Sequence, residues 1–316
     1  MTKLLLDGDP GHDDAVAILV AAQRLELLAV TTVFGNAPVE ATTRNALAIL
    51  ELAGLEVPVA AGAARSLLGE PPPAAGAAHG GSGLDGVALP EPRRAPLGAH
   101  AVELLIETAR AHREELVVAL TGPQTNMALA LRLEPRLPRW LRAVAIMGGS
   151  AGPGNVRPMA CRNVVADPEA AYIVFGCGAP IFWLGFETSR TVLLREGDLA
   201  RLRAGGRVAR TVAALLDFYR QRYRRIYGAE GAPIHDALAL LPWLRPDAVR
   251  LEPVALEVAL APGPTRGMTV VDRRGIRPDA GLPAEQMPKP ANVQMAAAID
   301  RDAAVETILE ALLAYP

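Results

Sequence analysis

Leu4-Leu5-Leu6-Asp7-Gly8-Asp9-Pro10-Gly11-His12-Asp13-Asp14-Ala15 decides the fold of this chain. An apolar strand ends, the chain turns at Pro10 and Gly11, and a helix begins near His12. Asp7, Asp9, Asp13 and Asp14 are thereby expected to converge at the carboxyl end of one strand. Carboxylates this close repel and raise each other's pKa. A cation among them relieves that repulsion, and an all-oxygen ligand set favours a hard ion, Ca²⁺ or Mg²⁺. Acids at a helix start are also favoured by the helix dipole. That simpler reading accounts for Asp13 and Asp14 but not for Asp7 and Asp9, which precede the turn.

Outward from this stretch, strands and helices alternate. Strands are expected at Lys3 to Asp7, Leu27 to Phe34, Val57 to Ala60, Leu116 to Leu120, Ala143 to Met147 and Ile181 to Leu184. Helices are expected at His12 to Gln23, Val39 to Ala53, Ala99 to Ala111, Gln124 to Leu133 and Pro168 to Phe175. Apolar strands separated by amphipathic helices predict a mostly parallel sheet covered on both faces. Helices dominate from Asp198 to Leu241. Val249 to Ala261 and Met268 to Asp272 are expected to form a late antiparallel pair, and Ala303 to Ala314 a closing helix. Two Pro- and Gly-rich stretches, Gly69 to Gly86 and Arg273 to Pro290, break the rhythm as long loops of the lid or binding type. Neither is flanked by a second core, so residues 1–316 are expected to form one domain with inserted active-site loops.

The 316 residues are 51% hydrophobic, enough for a large core. A net charge of −2 leaves no electrostatic footprint for nucleic acid. Lys3 and Lys289 are the only lysines, and the other basic residues are arginines. Cys161 and Cys177 make no disulfide framework. No apolar stretch reaches membrane-spanning length, and Leu4 to Leu6 is too short for a signal core. A cytoplasmic protein with no membrane or nucleic-acid partner is expected.

In open α/β sheets, ligands bind at the carboxyl ends of the strands. Gly35-Asn36 follows the strand ending Thr31-Thr32-Val33-Phe34. Thr121-Gly122-Pro123-Gln124-Thr125-Asn126 follows Leu120, and Met147-Gly148-Gly149 follows Ile146. Asn155 and Asn163 come soon after, and His235-Asp236 lies at a later helix start. Each residue alone has an ordinary explanation. Asn36 suits a turn, Asn126 suits helix packing, and Asp236 suits an N-cap. Their shared place at strand ends favours one common site.

Rival motifs fail on spacing. A calcium loop of the EF-hand type beginning at Asp7 needs glycine at its sixth position, where His12 stands. A phosphatase built on Asp7 and Asp9 would want a lysine beside the phosphate. A dinucleotide site needs Gly-x-Gly-x-x-Gly, which Gly8-Asp9-Pro10-Gly11 does not supply.

Asp7-Gly8-Asp9-Pro10-Gly11-His12-Asp13-Asp14-Ala15 resembles the N-terminal signature of the inosine-uridine preferring nucleoside hydrolases. The resemblance runs nearly end to end. It includes Val33-Phe34-Gly35-Asn36, His79-Gly80, Gly83-Leu84-Asp85-Gly86, Thr121 to Asn126, Met147-Gly148-Gly149, Gly154-Asn155, Asn163, Asp167 to Ala171, His235-Asp236 and Lys289-Pro290-Ala291-Asn292. It implies a Rossmann-like α/β fold and Ca²⁺-dependent hydrolysis of the N-glycosidic bond of ribonucleosides, giving ribose and free base. It implies Ca²⁺ held by Asp9, Asp14, Asp236 and the Thr121 carbonyl, with Asp9 also the general base. Asp13, Asn36, Asn155 and Asn163 would bind ribose hydroxyls and Met147 would line the sugar pocket. His235 would face the leaving base, with His79, Tyr223 and Tyr227 on loops over it. A homodimer or homotetramer and a role in purine or pyrimidine salvage are further implications.

One block departs from the family. Ala160-Cys161-Arg162-Asn163 stands where the family usually has Ala-Glu-Phe-Asn. The glutamate normally binds the ribose 5′-hydroxyl, and Cys161 is a poor substitute acceptor. Arg162 is a planar cation suited to an anionic group. Two other readings therefore stand beside nucleoside hydrolysis. One is a hydrolase of the same fold acting on a 5′-modified or anionic N-riboside. The other is a Ca²⁺-dependent ribose-binding protein without turnover, against which Asp9 and His235 argue.

Overall fold

The computed structural model describes residues 1–69, 76–277 and 280–316. Its strands in chain order are β1 (Lys3–Gly8), β2 (Glu26–Thr32), β3 (Val59–Ala61), β4 (Leu116–Leu120), β5 (Leu141–Met147), β6 (Ile181–Leu184), β7 (Leu193–Leu194), β8 (Ala232–Pro233), β9 (Val249–Val254), β10 (Leu256–Val258), β11 (Thr269–Val271) and β12 (Val293–Ile299). Eight of these form one sheet in the order β3-β2-β1-β4-β5-β6-β12-β9. All pairings are parallel except β12 with β9.

Successive residues of β1 point to opposite faces, and the two faces become two cores. Leu6 packs with the helices His12–Arg24, Val39–Ala53, Arg207–Tyr227 and Arg301–Leu313. Leu5 packs with Ala101–Ala111, Thr125–Leu133 and Pro168–Phe175. Leu4, Leu5 and Leu6 are fully buried, as a central parallel strand covered on both faces requires. The expected single α/β domain with a mostly parallel, doubly covered sheet is what the chain forms. Among the described residues no helix is long and apolar enough to cross a membrane.

From β1 the chain builds outward through β2 to β3, then returns to the other side of β1 for β4. Loops leaving β1 and β4 therefore diverge and open a crevice at their carboxyl ends. Asp7 closes the register, pairing with Thr31 of β2 and Leu120 of β4. Asp9 and Thr121 follow it on the two sides of that crevice.

The carboxyl-terminal third departs from expectation. Val249 to Ala261 is two strands, broken at Ala255. Only β10 pairs with β11 as anticipated. β9 turns back to the main sheet and pairs with β12, a strand the sequence reading did not anticipate. β9 is an edge strand, which lets Pro253 sit in it without losing a ladder bond. The helical stretch from Asp198 to Leu241 is interrupted by β8, which pairs with β7. Of the two expected loops, residues 70–75 and 278–279 lie outside the described residues. The first carries a short helix, Gly76–His79, and the second a turn at Ala284–Gln286.

Candidate active site

The acidic run divides at the turn. Asp7 faces into the sheet layer, where Thr31 Oγ1 donates to its Oδ1 at 2.6 Å and Asn126 Nδ2 at 2.8 Å. Burial raises its pKa to about 7 against those two bonds. Asn126 also donates to the Thr32 carbonyl at 3.0 Å and accepts from Ala63 N at 2.9 Å. Asp7 and Asn126 thus tie β1, β2 and the loop after β3 together beneath the crevice. Asp7 does not join the other three aspartates, contrary to the expected convergence, because it is still a strand residue with its own partners.

Asp13, Asp14 and Asp236 do converge. Among the described residues they form the group whose possible ligand atoms all lie within 4.8 Å of one another. Asp14 is clamped from both sides: Thr121 Oγ1 donates to Oδ1 at 2.8 Å and Gly11 N to Oδ2 at 2.9 Å. Asp13 Oδ1 is buried with no hydrogen-bond partner. Burial first, and then the neighbouring carboxylates, raises the pKa of Asp13 and of Asp236. Burial also raises Asp14, against its hydrogen bonds. Three crowded carboxylates with one orphaned oxygen suit a hard cation.

Asp9 stands on the adjoining wall. Asn36 donates to it twice, through its backbone N to Oδ2 at 2.7 Å and through Nδ2 to the Asp9 carbonyl at 3.1 Å. A Cβ on Gly35, whose φ is +158°, would collide with Asp9 Oδ2. One on Gly122 would lie 2.8 Å from Oδ1. Both glycines are there so that the backbone can close on this carboxylate from two sides. Burial and the Asp14 charge raise the Asp9 pKa well above its usual range, while the Asn36 hydrogen bond and then the Arg162 charge oppose them.

Asn163 closes the sugar side. Its Nδ2 donates to the Thr121 carbonyl at 2.7 Å and to the Met147 carbonyl at 3.1 Å. The Thr121 carbonyl, an expected metal ligand, therefore already accepts one bond here and keeps its second lone pair. Asn155 Oδ1 accepts from Arg162 N at 2.8 Å.

The opposite wall is aromatic. Tyr219, Tyr223 and Tyr227 lie four residues apart on one face of the Arg207–Tyr227 helix. The Tyr223 and Tyr227 rings are 4.5 Å apart. His235 Nδ1 lies 2.9 Å from Ser189 Oγ, and burial with the Arg190 charge lowers its pKa to about 3. The His79 ring lies tilted against Tyr219, 4.6 Å between centroids, and its Nδ1 lies 3.2 Å from His12 Nδ1. These walls enclose a cavity of about 260 Å³, lined by Asp9, Asp13, Asn36, His79, Thr121, Met147, Asn155, Asn163, Tyr223, Tyr227, His235 and Asp236 among others. Asp14 is buried beneath it.

His12, Tyr219, Phe186, Ser189 and Arg190 were missed by the sequence reading. Tyr219 carried a signal, its four-residue spacing from Tyr223. Ser189 and Arg190 follow β6 and obey the strand-end rule. His12 was hidden in the acidic run.

The family model for the inosine-uridine preferring nucleoside hydrolases matches residues 4–306. The pyrimidine-specific ribonucleoside hydrolase RihA of Enterobacter sp. (strain 638) is 42% identical over 274 residues, covering 85% of this chain and 87% of its own. RihA of Citrobacter koseri is 39% identical over 320 residues, covering 99% and 98%. A plant nucleoside hydrolase, PpNRh1, superposes with a TM-score of 0.90 at 31% identity and 99% coverage of both chains. A purine-preferring ribonucleoside hydrolase from Gardnerella vaginalis gives a TM-score of 0.89 at 29% identity and 98% coverage of both. The chain belongs to the inosine-uridine preferring nucleoside hydrolase family, enzymes that cleave N-glycosidic bonds.

Proposed function

We propose that this chain hydrolyses the N-glycosidic bond of ribonucleosides with the help of a bound Ca²⁺, releasing ribose and free base. The observation that carries the reading is the pairing of an acidic floor with an imidazole and tyrosine wall across one cavity. Asp14 and Asp236, together with Asp9 or Asp13 and the Thr121 carbonyl, would hold the ion. When bound, Ca²⁺ supplies a Lewis acid that orients and acidifies the attacking water.

The protein's own groups do the rest. Asp9 takes the proton from water as it attacks the anomeric carbon, and its negative charge stabilises the oxocarbenium-like sugar. Asn163 has both amide N–H groups committed to Thr121 and Met147, and Asn36 has one committed to Asp9. Their carbonyl oxygens are what remains to accept from ribose hydroxyls, beside Asp13 and Asn155. His235, Tyr223, Tyr227 and His79 surround the departing base and exclude water from it.

Hydrolysis of uridine, cytidine, inosine and adenosine, followed as reducing sugar with and without chelator, tests this reading. Release of ribose that chelation abolishes and Ca²⁺ restores is expected. Full activity in metal-free protein overturns the calcium part, and no cleavage of any riboside overturns the whole. Two relatives carry pyrimidine specificity in their names, so uridine and cytidine are the first substrates to try. The assembly is proposed to be a homodimer or homotetramer, which sedimentation would read.

A further inference from the structure

The cavity has an acidic floor and a cationic rim. The carboxylates that line it are Asp13 and Asp236 on the floor and Asp9 on the adjoining wall. Arg162 lines the cavity as well, and its backbone N–H is fixed by Asn155 Oδ1 at 2.8 Å. Its charge is felt across the space. Burial raises Tyr227, and Arg190 and then Arg162 pull it back down. Burial and His12 lower the pKa of His79, and Arg162 adds to that. Cys161 beside it is buried, with its thiol pushed up to about 11, so it stays neutral and adds no opposing charge.

Arg190 stands outside the cavity lining, against two residues that belong to it. Its Cζ lies 5.5 Å from the Phe186 ring centroid and 6.0 Å from that of Tyr227. Tyr227 thus sits within reach of two guanidinium charges. A neutral nucleoside carries no charge to meet either. A guanidinium offers a planar fork of donors that matches phosphate oxygens, and a phosphate monoester carries nearly two negative charges at neutral pH.

We propose that the site takes ribonucleosides bearing a 5′-phosphate, with the phosphate against Arg162 and Arg190 adding attraction from outside the lining. This inference rests on the reading of the cavity as an N-ribosyl hydrolase site. With the ribose diol on the acidic floor and the base against His235 and Tyr223, the 5′-carbon is the remaining substituent of the furanose. Within this proposal it points toward Cys161 and Arg162, which line the same cavity. Chemically the reaction is unaltered. Water adds hydroxide to C1′ and the C1′–N bond breaks. The base leaves with that electron pair and takes up a proton, so the products are ribose 5-phosphate and free base.

The test compares kcat/KM for uridine with uridine 5′-monophosphate, and for inosine with inosine 5′-monophosphate, on the Ca²⁺-loaded protein. The monophosphate is expected to lead by roughly ten- to hundredfold, the range of one charge-assisted hydrogen bond. In Arg162→Ala that ratio should collapse toward one, and Arg162→Lys should restore part of it. A wild-type enzyme that cleaves the nucleosides as well as or better than the monophosphates overturns this inference and leaves the hydrolase reading intact. So does a ratio that Arg162→Ala does not move. Failure to cleave either pair, or p-nitrophenyl riboside, overturns the hydrolase reading and this inference together.

Discussion

Ser189 Oγ lies 2.9 Å from His235 Nδ1, and the same hydroxyl donates to the Phe186 carbonyl at 3.2 Å. A hydroxyl has one proton. With that proton on Phe186, His235 must carry its own on Nδ1, and its Nε2 is left with a lone pair. With its pKa lowered to about 3, the ring is neutral in the free enzyme at pH 7. Protonating it there lies uphill by roughly 5 kcal/mol, at about 1.4 kcal/mol per pK unit. In that tautomer Nε2 can accept but not donate, so an acid role for His235 requires the other one, in which Ser189 donates to Nδ1 and Nε2 carries the proton.

His235→Ala is accordingly expected to slow uridine and inosine more than p-nitrophenyl riboside, whose leaving group needs no proton. Ser189→Ala should act in the same direction but more weakly, by about tenfold, the effect of one neutral hydrogen bond. Equal losses on all three substrates would remove the acid role from His235.

Asp9 is held between two glycines and Asn36, so its position is separable from its charge. Asp9→Asn keeps the shape and removes the base, and kcat should fall by roughly 10²–10⁴-fold. Gly122→Ala keeps the charge but brings a methyl group 2.8 Å from Oδ1. That variant should also lower kcat while leaving bound calcium in place. Unchanged kcat with raised KM in Asp9→Asn would mean that Asp9 only positions substrate.

The sheet and most of the site were legible because strand ends carry both. Apolar runs such as Leu4 to Leu6 and Leu116 to Leu120 announce central strands, and polar residues directly after them mark the crevice. What was not legible depends on distance in the chain. The pairing of β9 with β12 joins segments about forty residues apart, and neither has a local turn signal to the other. Asp7 looked like its acidic neighbours, and only the fold shows Thr31 and Asn126 claiming it. The face that Arg162 presents is likewise a tertiary fact, since its spacing alone allows the cavity or the solvent.

That structural role of Asp7 can be measured through its partner. Asn126→Ala strips one donor from Asp7 Oδ1 and leaves Thr32 O and Ala63 N without their side-chain bonds. Buried groups left unsatisfied cost about 1–3 kcal/mol each, partly offset by relaxation. A loss of at least about 2 kcal/mol in urea unfolding is expected. A loss under about 0.5 kcal/mol would show the network to be incidental.

The acidic floor makes a prediction about pH. Asp13, Asp14 and Asp236 all have folded pKa values above the unfolded one, burial being the largest cause. Their charged forms are therefore disfavoured in the folded chain. Without a cation, the contribution of these three groups to stability is greatest below about pH 4, where unfolded aspartate is still protonated, and falls as pH rises through the raised folded values. A bound cation favours the charged forms and reverses this trend, and protons compete with it at low pH. The rise in Tm that Ca²⁺ produces should consequently be larger at pH 8 than at pH 5.5. At a hundred times its Kd the ion should add about 2.7 kcal/mol. Asp14→Ala and Asp236→Ala should abolish both the shift and the calcium that copurifies with the protein. A Ca²⁺ shift as large at pH 5.5 as at pH 8, or one that survives in Asp236→Ala, would place the ion somewhere other than this floor.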